Sequence, residues 1–306
     1  MTRPAGTSGR PLTNVGSRTA AYGPAEWGLT FTIGLIWGSA FLWIAIGVDS
    51  LAPGVVALGR VALGAAVLAT FPAARVRIPA SDWGRLVVVA VAGNAAPAVL
   101  FAIAETELDS AVAGMLTSGT PLLSLVVASL LMWTLPGRDQ TIGILLGFAG
   151  IVMMTLPSLG GANAAPTGVV LVLIATAGYA LSGNLLVPLQ QRYGGSAVTL
   201  WALLVSSVIL LPYGWIGLAD SEFRLGPVLA VVVLGVVGTG IARSLAATLA
   251  GRVGAPRMST TTYLIPVVAI ALGVIFRGET VEPIAIAGVI IVLAGAYLAS
   301  RAVQPR

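Results

Sequence analysis

The fold is decided by Thr117-Ser118-Gly119-Thr120-Pro121 and by a counterpart, Thr262-Tyr263-Leu264-Ile265-Pro266, which stands 145 residues later. Helices three to five of one apolar block therefore map onto helices eight to ten of another without a gap. Each block contains five helices, and an odd number of crossings returns the chain to the opposite side of the membrane, so the second copy is upside down. The same offset relates Gly93 to Gly238, Gly143 to Gly288 and Gly150 to Gly295. The pattern predicts two inverted five-helix repeats.

The composition agrees with a membrane protein. Hydrophobic residues make up 57% of the 306 residues and charged residues only 9%, with a mean hydropathy of +0.99. Such a chain is too apolar for a soluble globule, and about 20 apolar residues cross a bilayer as a helix. The sequence predicts an all-α integral membrane protein with ten transmembrane helices, at 27–47, 52–71, 86–104, 110–133, 140–157, 167–187, 196–216, 226–249, 258–276 and 283–300.

The domain boundaries follow from these spans. Residues 25–157 form the first repeat and residues 167–300 the second, and 301–306 is a short cytoplasmic tail. Residues 1–24 are rich in Gly, Ser, Thr, Pro and Arg and contain no apolar run before the first span. That segment is therefore predicted to be a disordered cytoplasmic tail rather than a cleaved signal peptide.

The arginines set the orientation. With a cytoplasmic N-terminus, twelve arginines fall in inner segments and two, Arg224 and Arg277, in outer segments. The positive-inside rule then predicts a multi-pass protein of the cell inner (cytoplasmic) membrane with both termini in the cytoplasm. The net charge of +5 is largely this topology signal. Because the basic residues are scattered over separate loops, no nucleic-acid partner is expected.

The missing residue types exclude several functions. The chain contains no cysteine, no histidine and no lysine, since all 16 basic residues are arginine. Disulfides, thiol nucleophiles, imidazole bases and most transition-metal sites are therefore excluded. We expect no enzyme activity, no metal and no cofactor. A small-molecule substrate and the lipid bilayer remain as partners.

The matched prolines mark the candidate site. Each proline lacks an N–H and so frees the carbonyl four residues earlier, which belongs to Thr117 before Pro121 and to Thr262 before Pro266. Lipid cannot satisfy such a group, so it must face a neighbouring helix or a wet cavity. Thr117, Thr262 and the adjacent Ser118 are therefore candidate substrate-binding residues, with the prolines as hinges. The alternative is that the prolines only bend the helices for packing.

Four polar side chains lie inside spans, where they are costly. Arg60 is near the middle of span two, where it either contacts a substrate carboxylate or phosphate or bonds structurally to freed carbonyls. Arg243 is near enough to the inner end of span eight to extend to the interface. Asn94 and Asn184 are further substrate-binding candidates. For Asn184 a packing hydrogen bond is an equal alternative.

Three aromatic residues complete the candidate set. Trp37 and Tyr179 occupy similar depths in spans one and six, and Tyr263 lies in the interrupted helix nine. All three could line a cavity for planar or apolar ligands. The alternative is that they pack or anchor helices, as most membrane aromatics do.

Several motifs resemble the EamA family of the drug/metabolite transporter superfamily over about residues 27–300. The resemblance rests on Trp37-Gly38-Ser39-Ala40-Phe41, Arg60, Pro121, Pro266 and Gly278-Glu279. It implies a ten-helix exporter or facilitator of small metabolites, with a central cavity between two inverted halves. The chain departs from the pattern in two places. Thr134 stands where the repeat of Gly278-Glu279 would fall, and Gly178-Tyr179-Ala180 replaces a second Trp-Gly-Ser.

The function expected is secondary transport of small metabolites by alternating access. Because every acidic residue lies at a span end, proton-driven export of cationic drugs is disfavoured. Neutral, zwitterionic or anionic metabolites fit better, with amino acids as the leading class. A passive channel is the alternative, and an intramembrane enzyme or receptor is a further one. The Gly143-x-x-x-Gly147 spacing allows close helix contact, either within the bundle or between the two copies of a homodimer.

Overall fold

The protein is an all-helical bundle in a computed structural model that describes residues 23–133, 135–159, 165–253 and 259–301. Its ten principal helices are α1 (Pro24–Val48), α2 (Pro53–Ala69), α3 (Ala80–Ala104), α4 (Ser110–Met132), α5 (Arg138–Leu159), α6 (Pro166–Tyr193), α7 (Gly195–Gly217), α8 (Leu225–Val233, Leu234–Ile241 and Ala242–Val253), α9 (Ser259–Tyr263, Ile265–Leu272 and Gly273–Arg277) and α10 (Pro283–Arg301).

The ten predicted spans are confirmed. Seven of the helices in the described part of the chain are long and apolar enough to cross a membrane. Three shorter apolar helices, Pro53–Ala69, Thr261–Arg277 and Pro283–Leu298, complete the set. The predicted tails at 1–24 and 301–306 lie almost entirely outside the described residues, as does Thr134.

The loops collect at two opposite ends of the bundle. At one end, Arg277 forms an ion pair with Asp49, with 2.6 Å between Nη1 and Oδ2, and the Ser50 hydroxyl donates to the Glu222 carbonyl oxygen at 2.8 Å. At the other end, the Tyr193 hydroxyl donates to Asp82 Oδ2 at 2.6 Å. These contacts join the α1–α2 loop to the end of α9 and to the α7–α8 loop, and the first turn of α3 to the end of α6. Successive loops therefore alternate between the ends, as ten crossings require. Which end faces the cytoplasm stays a prediction.

The contact between α5 and α10 shows how the two halves are related. A Cβ added to Gly288 of α10 would lie 2.6 Å from the carbonyl oxygen of Gly150 in α5, and one added to Gly295 would lie 2.6 Å from that of Gly143. Applying the repeat offset to the first pair gives the second pair with its partners exchanged. A contact that maps onto itself in this way is what a two-fold relation between the halves produces. Only glycine permits this backbone approach.

One end of α4 is capped from the second half. The Glu279 carboxylate accepts hydrogen bonds from the backbone N–H groups of Ser110 and Ala111, at 3.0 and 2.8 Å, and from the Ser110 hydroxyl at 2.7 Å. A carboxylate at a helix N-terminus satisfies free N–H groups and opposes the helix dipole. Gly278 makes the turn possible with a φ of 66°. In the first half the equivalent position is Trp133, which adopts a φ of 52° despite its side chain.

Candidate functional site

The helices α4 and α9 are interrupted at matching positions. The first segment of α4 ends at Thr117 and the second begins at Thr120. In α9 a tight turn over Ser259–Tyr263 is followed by a helix that begins at Ile265. The break at 118–119 in α4 and the break at 264 in α9 overlap under the repeat offset, as the prolines predicted. Each proline lies in the first turn after its break, where its missing N–H is tolerated.

Local hydroxyls satisfy the break in α4. The Thr120 hydroxyl donates to the Thr117 carbonyl oxygen at 2.6 Å, so the carbonyl that Pro121 frees has a partner within its own helix. The Thr117 hydroxyl donates to the Ala113 carbonyl oxygen at 2.9 Å. Ser118 is fully buried, and its hydroxyl has no hydrogen-bond partner among the described residues. Of these three hydroxyls, that of Ser118 is the one left to take a ligand.

A second matched feature lies in α3 and α8, where the helices widen into π segments over Val91–Ala95 and Leu234–Ile241. Asn94 and Thr239 occupy equivalent positions in these segments and are both buried. The Asn94 amide donates to the Val89 carbonyl oxygen at 3.5 Å, and the Thr239 hydroxyl donates to the Leu234 carbonyl oxygen at 3.0 Å. The two acceptors are also equivalent under the offset. π segments inside α-helices are frequent at functional sites.

The two arginines inside the membrane domain contact these π segments. Arg60 Nε donates to the Thr239 hydroxyl oxygen at 3.2 Å, and Arg243 Nη2 donates to the Gly93 carbonyl oxygen at 3.0 Å. Arg60 is only 8% exposed. Arg243 is bonded to α3 in the bundle, which does not fit the alternative that it extends to the membrane interface. Each arginine thus joins its own helix to the π segment of another.

Two positive charges, those of Arg60 and Arg243, lie at this centre. Arg243 lies close enough to both Arg60 and Tyr179 for electrostatic interaction. Two guanidinium groups near one another in an apolar bundle repel, and an anion between them would relieve that repulsion. The terminal nitrogens of Arg60 form no hydrogen bond with any residue in the described ranges. This pair, which we call the arginine pair, is therefore suited to a carboxylate or phosphate.

Aromatic rings adjoin the arginine pair. The rings of Phe41 and Phe101 meet edge to face with centroids 5.5 Å apart, and the rings of Phe101 and Tyr179 stack at 5.8 Å. Trp37 and Tyr263 are half-buried against the same apolar cluster. We call Phe41, Phe101 and Tyr179 the aromatic row, and Tyr179 is the member that interacts electrostatically with Arg243. The arrangement gives an apolar surface beside a cationic one.

The remaining candidates have other surroundings. The Asn184 amide donates to the carbonyl oxygens of Ser124 in α4 and Ala180 in α6, at 3.1 and 2.9 Å, so one proton joins α6 to α4 and the other bonds within α6 itself. This geometry favours the packing alternative for Asn184. Thr262 is half-buried in the turn that opens α9, and Pro266 is buried at the start of the next helix. Neither residue contacts the arginine pair through a hydrogen bond within the described residues.

Two cavities lie away from these residues. An apolar groove of about 560 Å³ opens between α3, α4 and α6, with Val91, Leu130 and Ile174 among its lining residues. A second groove, of about 620 Å³, lies among the loops near Asp49 and Arg224. None of the candidate residues lines either groove. Of the candidates, Arg60, Asn94, Thr117 and Ser118 are buried between helices, and the aromatic residues are half-buried.

Sequence reasoning missed several residues of this centre. Thr239 could have been found by applying the repeat offset to Asn94, and the π segments have no comparable sequence signal. Phe41 and Phe101 are indistinguishable in sequence from the other core aromatics. Glu105 is buried although it lies at the end of α3, where an acid is ordinarily solvated.

Ten apolar helices in two inverted halves, with matched broken helices between them, are the architecture of a membrane transporter. The model of the EamA-like transporter family matches residues 27–156 and 166–301. The chain belongs to that family, which confirms the resemblance seen in its motifs.

Relatives of known name are transporters too. A protein of Streptantibioticus cattleyicolor named "Probable terminal-alkyne amino-acid exporter" is 26% identical over 90% of this chain and 93% of its own length. One of Salmonella typhimurium named "Probable amino-acid metabolite efflux pump" is 24% identical over 88% of this chain and 93% of its own. An inner membrane transporter of Escherichia coli is 28% identical over 89% of this chain and 91% of its own length. A solved crystal structure matches with a TM-score of 0.65 at 18% identity, over 92% of this chain and 99% of that one, and supports the fold.

Proposed function

We propose that this protein is an exporter or facilitator that moves small carboxylate-bearing metabolites, with amino acids as the leading class, across the cytoplasmic membrane by alternating access. The observation that carries the proposal is the arginine pair. Arg60 donates to the π segment of α8, and Arg243 donates to the π segment of α3. The terminal nitrogens of Arg60 form no hydrogen bond within the described residues. Both termini face the cytoplasm in this proposal.

The substrate carboxylate binds to the arginine pair and the rest of the molecule lies against the aromatic row. A bidentate bond from a guanidinium to a carboxylate is among the stronger charge-assisted hydrogen bonds, and burial strengthens it. Tyr179 and Phe101 then supply a flat apolar surface for the substrate side chain, with Trp37 and Tyr263 on the same cluster. Asn94, whose Oδ1 has no partner in the described part of the chain, offers an acceptor for an ammonium group.

Access alternates when the halves move about the matched breaks. Residues 25–157 and 167–300 act as the moving units, with Pro121 and Pro266 at the hinges. A hinge needs a helix whose hydrogen-bond ladder is already interrupted, and α4 and α9 both have such an interruption. The relatives named "Probable terminal-alkyne amino-acid exporter" and "Probable amino-acid metabolite efflux pump" support the substrate class.

Purified protein in proteoliposomes tests the proposal. Vesicles are loaded with one radiolabelled L-amino acid at a time, and its release is followed with and without excess unlabelled amino acid or the corresponding amino-acid amide. The proposal expects saturable release that the amino acid inhibits and the amide, which lacks the carboxylate, does not. Release that stays proportional to concentration would favour the passive channel instead. Equal inhibition by amide and acid would contradict carboxylate recognition.

A further inference from the structure

Glu105 is a buried acid that the transport scheme so far leaves unused. It follows α3 directly, is 7% exposed, and neither of its carboxyl oxygens has a hydrogen-bond partner in the described ranges. A carboxylate buried without hydrogen bonds is unstable unless a charge compensates it or a proton neutralises it. The structure therefore calls for one of these two partners.

The charged groups around Glu105 are Arg60 of α2, Arg277 at the end of α9, and Glu279 of the α9–α10 loop, with the backbone of Ala45 on α1 also adjacent. Arg277 is already paired with Asp49 through two hydrogen bonds. Glu279 already accepts three hydrogen bonds at the start of α4. Of the two cations, Arg60 has the larger electrostatic effect on Glu105, and in the proposed function Arg60 also binds the substrate carboxylate.

These surroundings favour the protonated acid. Burial, followed by repulsion from Glu279, raises the pKa of Glu105 well above its ordinary value, and Arg60 and Arg277 oppose that shift. Burial and Glu279 also raise the pKa of Asp109 in the same loop. The charge of Arg60 thus bears directly on whether Glu105 holds a proton.

We propose that Glu105 is a proton-binding site coupled to the arginine pair, so that its carboxyl takes up a proton when a substrate carboxylate binds to Arg60 and releases it when the substrate leaves. This proposal rests on the proposed function. The position of every acid at a span end led to the expectation that proton-driven export of cationic drugs is disfavoured. That expectation concerned cationic drugs, and the coupling proposed here concerns carboxylates.

The sign of the coupling follows from electrostatics. Arg60 holds the pKa of Glu105 down, and a bound carboxylate cancels the charge of Arg60, so the pKa of Glu105 rises on binding and a proton enters. By linkage, protonation of Glu105 must then strengthen carboxylate binding by the same factor. Proton and substrate bind together rather than in competition. Affinity for the substrate therefore falls as pH rises through the pKa of Glu105.

Infrared difference spectra of the substrate-free protein test the proton site without any transport. A pH titration in membranes should show the carbonyl stretch of a protonated carboxylic acid that is lost in Glu105→Gln and retained in Glu107→Gln, an exposed acid of the same loop. Arg60→Gln should move the midpoint of that band to higher pH, because it removes the charge that opposes protonation. A band that Glu105→Gln leaves intact would overturn the site, and an unmoved midpoint in Arg60→Gln would overturn its link to Arg60.

Transport then tests the coupling, with L-leucine as the probe because its side chain suits the aromatic row. The apparent affinity for L-leucine should fall with rising pH, by up to about tenfold per pH unit, in the parent protein and in Glu107→Gln. It should be independent of pH in Glu105→Gln. Equal pH dependence in all three proteins would overturn the coupling. If L-leucine is not transported at all, the proposed function fails for this substrate, and the infrared titration alone decides whether Glu105 binds a proton.

Discussion

The helices α3 of the first half and α8 of the second half each contain a π segment at the equivalent position, but only the segment in α8 is followed by an arginine. Asn94 and Thr239 correspond, and so do their carbonyl partners. Arg243, which follows the second segment, corresponds to Ala98 in the first. Both halves therefore contain the π segment, but only the second half has an arginine, Arg243, beside it. In the proposed mechanism, the symmetric frame supplies the two equivalent movements of alternating access, and the asymmetric charge holds the substrate in one orientation.

The largest effect expected is on the packing that holds the halves together. Gly150→Val and Gly295→Val, at equivalent positions of the two repeats, each place side-chain atoms against backbone 2.6 Å away, which should cost about 1–3 kcal/mol and reduce the yield of folded protein. Thermal unfolding in detergent measures the change. Gly183→Val is the matched control, because a Cβ there meets nothing within 4 Å. The two-fold relation predicts similar losses at 150 and 295, and a loss at only one of them would contradict it.

The next effect concerns the matched breaks. Pro121→Ala and Pro266→Ala each restore an N–H near a helix interruption, so transport should drop severalfold while the folded protein reaches the membrane at a near-normal level. Initial rates per folded molecule measure the effect. Pro212→Ala serves as control, since Pro212 lies within α7 on an exposed surface away from the breaks. Normal transport by both variants would mean that the prolines only shape the packing.

A smaller effect distinguishes the two π segments directly. Thr239→Val removes a hydroxyl that accepts from Arg60 and donates to Leu234, leaving Arg60 Nε without its partner, and should destabilise the protein by about 1–3 kcal/mol. Asn94→Leu removes one long hydrogen bond and an unpartnered oxygen, so stability should change little. Transport should nevertheless fall in Asn94→Leu if the Asn94 amide of the parent protein contacts the substrate. A destabilisation by Asn94→Leu as large as that by Thr239→Val would show that Asn94 is structural.

Much of this architecture could be predicted from the sequence, because helix length, hydrophobicity and an exact repeat offset are properties of the chain itself. The breaks before Pro121 and Pro266 belong to the same class, since a proline acts on its own helix. The partner of Arg60 could not be predicted, because it depends on how α2 packs against α8. Likewise Glu105 looks solvated by its position at a helix end, and only the packing of α1 and α9 around it makes it buried.

The apparent KM of Arg60 variants shows whether Arg60 binds the substrate carboxylate, as the proposed function requires. Arg60→Lys keeps the charge but loses the planar fork, so the KM for a transported L-amino acid should rise, and Arg60→Gln should abolish saturable transport. Rates are normalised to folded protein, because a purely structural Arg60 would lower the yield of both variants. The account predicts a graded loss, with Arg60→Lys between the parent protein and Arg60→Gln. An unchanged KM in folded Arg60→Gln would contradict it.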